Sequence, residues 1–554
     1  MIVFQGDKMK HFESYFFCKY IISITVIMLL VSSCAVKRPA TTTKENVNTT
    51  NSTKNTDSLK KALKAAQLEE KLRAEFKDLL KSEAAGLPYP EMISKRYEKG
   101  EYHLVLVPRF LPDNQIQVLM DYLNHAGDHG LDNQQFSIAD FKKQLDELRD
   151  FKSADTVKIH RCMAKLELSF INSLIRYSIA LQYGIINPSK IYNHYAIPTL
   201  LPDSSFVTHI FEIRNLKFYL DSIQPKDKTY RALQKTLIRL EQDTIPKPEP
   251  PKIKLSMNKE SKKNREKHSK TLKTAVKPVL SKEALDSLRE QTRLILVVNM
   301  ERLRWKNKPA GQKSVLVNIA DFSLDVMENG KSTLHMNVCV GQPGDKQTPQ
   351  LGSMISLVQI NPVWNIPQSI ARNEISKYAA DDRYYLANNN IKTFKKGKLV
   401  RDTEAIDWAS ANIGEYSFQQ QPGSKNSLGK IKFLFKNASS VYLHDTPVRT
   451  VFKQKMRAIS HGCVRVEKPL DLASALFGKD NRYNQIKNGM ASGYPRAKFI
   501  GLPQQVPIRL FYYTAWLNDK GGVQFAKDIY GLDPIVYQAM KTAGNQSFEV
   551  VNSL

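Results

Sequence analysis

Apolar and polar positions change their period along the chain. Residues Ile21–Val31 (IISITVIMLLV) form an unbroken apolar run of 11. That is short of the ~20 residues a membrane span needs and matches the h-region of a secretory signal. Residues 35 to about 58 are polar and rich in Thr and Asn, a tether with no core of its own. Leu59–Leu80 has the Lys, Glu, Ala and Leu content of a charged helix. From about 88 to 240 apolar residues recur at helical spacing, as in Leu166, Phe170, Leu174 and Tyr177, with Gly184 and Pro188 as stop signals. Tyr230–Leu240 reads as a further helix, and another lies near Glu283–Arg293. Beyond it the period falls to two. Val315/Val317/Ile319, Ile431/Phe433/Phe435 and Val506/Ile508/Leu510/Tyr512 are spaced as half-buried strands. The pattern predicts an α+β chain, mostly helical over 88–244 and β-rich over 283–540, with a tail at 541–554.

Composition adds a surface. The 554 residues exceed one domain, and 42% hydrophobic residues suffice for real cores, which excludes a wholly disordered chain. Lys and Arg number 82 against 54 acids, a net +28 that predicts an anionic partner: nucleic acid, membrane surface or cell-wall polymer. Residues 245–282 hold twelve basic and three acidic residues between prolines and read as a basic linker. His125, His129 and His160 lack a ligand spacing, so no metal is expected, and no other cofactor. There is no Cys-x-x-Cys, and Cys162, Cys339 and Cys463 leave at least one free thiol in an oxidising compartment.

Val31-Ser32-Ser33-Cys34 closes the apolar run and resembles a bacterial lipobox. That resemblance implies a signal peptide over 1–33, with Met1 or Met9 as the start, and lipidation of Cys34. Residues 34–87 then comprise the lipidated Cys, tether and charged helix. A secretion signal and the lack of a nucleic-acid motif remove nucleic acid from the partners, leaving the membrane, reached through the lipid, and the cell wall. The absence of Asp after Cys34 suggests the periplasmic face of an outer membrane. Oligomeric state is open.

The chemistry concentrates in Ser460-His461-Gly462-Cys463-Val464-Arg465, with His444 nineteen residues before Cys463. A nucleophilic Cys needs a base to supply thiolate near neutral pH and N–H donors where an oxyanion develops. On a strand, Tyr442 and His444 share one face and Leu443 takes the other. Gly462 permits a tight turn before the Cys.

This constellation resembles the YkuD-type L,D-transpeptidase signature, an upstream His followed by [Ser/Thr]-His-Gly-Cys. Asn299–Trp305, Thr348-Pro349, Asn361–Pro367, Pro422–Gly429 and Thr514–Trp516 are similar to the larger, YcbB-like branch, and 88–244 to its helical scaffold domain, through His129–Asp132 and Pro225…Tyr230…Leu233. The resemblance implies a YkuD-like β-sandwich catalytic domain with a capping insertion at about 368–425. A peptidoglycan-binding module usual in that branch is replaced here by the basic stretch. It implies that Cys463 attacks the third residue of a tetrapeptide stem, releases D-Ala and passes the acyl group to a neighbouring stem as a 3→3 crosslink. His444 is the expected general base, held through its other ring nitrogen by a backbone carbonyl near Asp445. His461 and Ser460 support the site, the Gly462 and Cys463 N–H groups hold the oxyanion, and Arg465 contacts a carboxylate or acceptor. Tyr384, Tyr385, Trp408 and Tyr416 either line the donor groove or form a satellite core. An L,D-carboxypeptidase or crosslink-cleaving amidase shares the acyl-enzyme half, and a non-catalytic tethering lipoprotein is a further alternative.

Overall fold

The computed structural model describes residues 50–150, 156–242, 281–305 and 311–545. The apolar run, Cys34, nearly all of the basic segment and the last residues of the tail lie outside the described residues. Contacts divide the chain after Leu68, and the elements from residue 69 to 545 belong to the second unit. Among the described residues no helix is long and apolar enough to cross a membrane.

The N-terminal part is helical, as the 3.6-residue period requires. Thr156–Tyr183 is its longest complete helix, and Leu166, Phe170, Leu174 and Tyr177 are all buried along it. Gly184 ends it, whereas Pro188 opens the next short helix, Pro188–Ile191, capped by the Asn187 side chain. Lys228–Glu241 starts on an Asp227 cap and buries Tyr230, Leu233 and Leu237. One buried carboxylate organises a helix start. Glu167 accepts the N–H groups of Val105, Leu106 and Val107 at 2.7–2.9 Å and the Tyr97 hydroxyl at 2.6 Å, which satisfies donors that the helix Leu106–Phe110 cannot pair itself.

The helix after the basic segment runs from Lys282 to Arg304 and belongs to this helical core rather than to the β-rich part. Leu296, Val297, Val298 and Met300 are buried in it, as are Val536 and Met540 of the C-terminal helix Leu532–Asn545. Contact is close enough that a Cβ on Gly130 would lie 2.7 Å from a Val297 methyl. Chain order alone grouped 283–540 together. Packing assigns both ends of that range to the scaffold.

The β-rich part is one sheet closed on itself. Its strands are β1 (Tyr195–Ala196, from the scaffold), β2 (Lys313–Asn318), β3 (Ser323–Glu328), β4 (Lys331–Gly341), β5 (Gln350–Ile360), and, in the capping insertion, β6 (Trp364–Ile366), β7 (Ile391–Lys395), β8 (Lys398–Val400) and β9 (Tyr416–Gln420). Then follow β10 (Ile431–Phe435), β11 (Leu443–His444), β12 (Ala458–Ser460), β13 (Val464–Val466) and β14 (Lys498–Phe511), with a hairpin of β15 (Ala515–Leu517) and β16 (Val523–Phe525). The main order is β5-β10-β11-β13-β4-β3-β2-β14, and β14 pairs back to β5. The two layers expected of a sandwich are thus joined at both edges. Val317, Val326, Val338, Val358, Phe433 and Leu443 fill the interior, as period-two alternation predicts. The helices Pro469–Phe477 and Asn481–Ser492 add Leu472, Phe477 and Ile486 to that core.

The insertion has its own four-stranded sheet, β6-β9-β7-β8. At its neck the buried Asn426 amide donates to the carbonyls of Pro362 and Gln421 at 3.1 and 3.0 Å.

Candidate active site

Register assembles the site. β11 lies between β10 and β13, with His444 opposite Lys432 on one side and beside Arg465 on the other. Leu443 points into the core, so His444 points out, with Tyr442 two residues before it. Cys463 shares the face of Arg465 for the same reason. The Val464 N–H donates to the Tyr442 carbonyl at 3.1 Å, which keeps the two segments in register at the Cys. Lys432, Tyr442, His444, Cys463 and Arg465 therefore occupy one outer face of three adjacent strands.

His444 is buried, and its Nδ1 lies 2.6 Å from the Asp445 carbonyl oxygen. A carbonyl only accepts, so Nδ1 carries the proton and Nε2 keeps a lone pair. Burial, with Arg465 and Lys432 adding to it, pushes the His444 pKa down to about 3 against the pull of that hydrogen bond. The imidazole is neutral. Asp445 fixes the backbone in turn: its carboxylate takes Arg449 Nη2 at 2.6 Å and the N–H groups of Lys430 and Thr446 at 2.9 and 2.7 Å.

The turn carrying Cys463 is braced from within. Gly462 has φ +110°, in the region that favours glycine. Its carbonyl accepts from Thr348 Oγ1 at 2.8 Å, and Ser460 Oγ donates to the Cys463 carbonyl at 2.6 Å. The Gly462 N–H donates to Ser460 Oγ at 3.3 Å. It is therefore occupied, contrary to its expected role as a free oxyanion donor. Tyr442 adds a donor that motif reading did not assign. Burial, and then the neighbouring Cys463, hold its phenol well above the usual range, so it keeps its proton. The Cys463 thiol is also pushed up by burial, while Tyr442, Lys432 and Arg465 work against that shift.

Two cations complete the face. Lys432 Nζ lies 5.2 Å from the centre of the Tyr442 ring, and burial lowers its pKa while Cys463 opposes this. Arg465 Nε is buried with no hydrogen-bond partner. Among the described residues neither cation has a carboxylate at ion-pair distance, and Glu374 of the insertion supports the Arg465 charge from further off.

A neutral base, a thiol and a phenol donor on one face, with two cations beside them, suit acyl transfer through the thiol. The family models agree. Residues 312–477 match the family described as the L,D-transpeptidase catalytic domain, YkuD, and residues 91–237 match the scaffold domain. The chain carries a YkuD-type L,D-transpeptidase domain behind a scaffold domain. A curated Haemophilus influenzae protein, provisionally named an L,D-transpeptidase, is 33% identical over 239 residues, covering 43% of this chain and 48% of that protein. The chain thus matches about half the length of that relative. An L,D-transpeptidase from Mycobacterium smegmatis is similar at 12% identity over 36% of this chain and 58% of that one, with a TM-score of 0.17. L,D-transpeptidase 1 of Mycobacterium tuberculosis is similar at 11% identity over 36% and 61%, with a TM-score of 0.15.

In this L,D-transpeptidase domain His461 is engaged elsewhere. Its Nε2 lies 2.6 Å from Glu374 Oε1 of the capping insertion, at ion-pair distance but outside hydrogen-bond alignment, and Lys346 Nζ lies 3.8 Å from the same oxygen. The insertion's aromatics divide. Trp408 and Tyr416 are buried with Phe418 in the insertion's own core, and Trp408 donates its N–H to the Thr403 carbonyl. Tyr385 packs on Tyr378, and Tyr384 is exposed. The satellite-core reading therefore holds for Trp408 and Tyr416. Lys432 and Thr348 join the site from outside the motif; their sequence signals are a lysine alternating into the strand beside the His strand, and the Thr348-Pro349 pair.

A raised thiol beside a neutral imidazole differs from a thiolate–imidazolium pair. Iodoacetamide alkylation of Cys463, followed on its own peptide by mass spectrometry, is expected to keep rising past about pH 9. A plateau between about pH 4 and 7, the signature of a preformed ion pair, would contradict this electrostatic account.

Proposed function

We propose that the chain is a peptidoglycan L,D-transpeptidase that forms 3→3 crosslinks through a thioester on Cys463. The observation that carries this reading is the pair of unmatched cations, Lys432 and Arg465, on the face that holds Cys463 and His444. A tetrapeptide donor offers carboxylates at its terminal D-Ala and on its diamino acid, which suits two such cations. Their pairing with substrate has a second effect. Both cations depress the basicity of His444, so neutralising them makes its Nε2 a stronger base once the donor is bound.

His444 Nε2 takes the thiol proton as Sγ bonds to the carbonyl carbon of the third residue. The Tyr442 O–H and the Cys463 N–H meet the developing oxyanion. Collapse breaks the C–N bond to D-Ala, whose amine leaves with the proton from His444. A side-chain amine of a neighbouring stem then attacks the thioester, loses a proton to His444, and expels the thiol. Water in place of that amine would give a carboxypeptidase or amidase. The same proposal, on sequence grounds, makes Cys34 the lipid-bearing residue and the periplasmic face of a membrane the address.

Incubation with tetrapeptide muropeptides is expected to release D-Ala and then yield dimers by mass spectrometry. D-Ala release without dimers would replace the transpeptidase with the carboxypeptidase, and no D-Ala release would remove both.

A further inference from the structure

A second concave surface lies on the outside of β2, β3 and β4, walled by the segment after β14 and by the β15–β16 hairpin. It is a groove of about 900 Å³, in the size range of pockets that bury a small ligand. Its lining pairs aromatic faces with polar groups. Phe511 and Tyr513 stand with ring centres 4.6 Å apart, and Trp516 lies half-buried beside them on the hairpin. Asp321 and Asp325 line the groove with them, and Gln524 is paired with Trp516 in the hairpin. Asp325 is taken by Ser332 Oγ and His335 Nδ1 at 2.7 and 3.0 Å. Among the described residues Asp321 has no cation at ion-pair distance, and the Trp516 indole N–H has no hydrogen-bond acceptor.

Charge narrows the ligand. The chain as a whole is +28, yet Asp321, Asp325 and Asp519 in this groove offset Lys331 and Arg457. A polyanion gains nothing here. Aromatic faces beside hydroxyl- and amide-binding groups suit an uncharged polyol instead.

Position narrows it further. His335, Asn337 and Cys339 alternate along one face of β4, and Cys339 pairs directly with Arg465. The groove and the catalytic centre thus both face outward from the closed sheet, with Cys339, buried under Val451 and Phe452, between them. Cys463 falls opposite Gly341, four residues along β4 from Asn337, which faces Ser323 on β3, so the nearest groove wall is about 13 Å along and about 10 Å across, and Phe511 on β14 lies two strands further.

We propose that this groove binds the glycan backbone, a run of N-acetylated amino sugars, at some sugars' remove from the one whose stem reaches Cys463. The proposal rests on the peptidoglycan reading above. The sugars stack on Phe511, Tyr513 and Trp516, and their hydroxyl and acetamido groups meet Asp321, Gln524 and the Trp516 N–H.

The test uses the full chain and two probes. Tetra-N-acetylchitotetraose, which has no stem, is expected to change tryptophan fluorescence saturably in the parent and in Trp516→Phe through the remaining indoles' surroundings only weakly, and not at all in Trp516→Ala. For donor turnover, Trp516→Ala and Gln524→Ala are expected to raise KM for glycan-linked tetrapeptide by about ten-fold, the loss of roughly one good contact. Both should leave kcat, and the rate on glycan-free tetrapeptide, unchanged, and Trp516→Phe, which keeps the stacking face but not the N–H, should recover part of the KM loss. Equal losses on both donors, or no change on the glycan-linked one, would overturn the proposal, as would an absence of saturable chitotetraose binding by the parent. Failure of the parent to turn over glycan-free tetrapeptide would overturn the peptidoglycan reading instead, because the chitotetraose titration tests the groove without any stem.

Discussion

Replacing His444 with Ala is expected to slow acylation of Cys463 by about 10²–10⁴-fold, the usual worth of a positioned general base. The expectation rests on tautomer and place. Nδ1 is fixed on the Asp445 carbonyl at 2.6 Å, so the remaining nitrogen is a lone-pair acceptor on the face that holds Cys463. His461, the other histidine beside Cys463, has its Nε2 2.6 Å from Glu374 instead. His461→Ala is expected to cost about ten-fold or less, because it removes a tie between the nucleophile turn and the insertion rather than a proton acceptor. Stopped-flow acylation with a chromogenic β-lactam or a tetrapeptide thioester distinguishes the two. Loss of acylation in His461→Ala alone would reverse the assigned roles.

Asp533→Ala is expected to destabilise the folded chain by about 3–5 kcal/mol, the cost of stranding a buried charge. Arg302 is fully enclosed, with Nη1 2.6 Å from Asp533 Oδ1 and Nη2 3.2 Å from the Tyr192 hydroxyl. Burial works against its charge, but Tyr192 and Asp533 outweigh that and raise its pKa. Thr514 Oγ1 donates to the second Asp533 oxygen at 2.8 Å, and the Asn299 amide donates to Thr514 Oγ1 at 2.7 Å. One network thus ties the helix Lys282–Arg304 to the C-terminal helix and to the segment entering β15. Chemical denaturation should show the loss as a lower midpoint. The double variant Arg302→Met/Asp533→Leu should recover part of it, because it removes the charge as well as its partner. A midpoint for Asp533→Ala within error of the parent would show that the pair does not hold these elements together.

What the sequence disclosed followed from short-range rules. Period-two alternation found β2, β10 and β14 because one face of each is buried, and helical spacing found Thr156–Tyr183 for the matching reason. The Cys463 turn was legible because nucleophile, glycine and neighbouring polar groups are consecutive. Lys432 was not, because its place beside His444 is set by strand register between segments twelve residues apart. Leu296–Val298 and Met300 were visibly apolar, but hydrophobicity does not say which core a helix joins. The occupied Gly462 N–H was hidden for a similar reason, since a serine two residues away can turn its hydroxyl to either side.

The central claim is that Cys463 takes the acyl group. Intact-protein mass spectrometry after mixing the full chain with a tetrapeptide stem tests it most directly. The expected result is an adduct equal to the stem less its D-Ala, mapped to the Cys463 peptide, cleaved by hydroxylamine as a thioester should be, and absent from Cys463→Ala. An unmodified protein that nonetheless releases D-Ala, or an adduct that persists in Cys463→Ala, would contradict it.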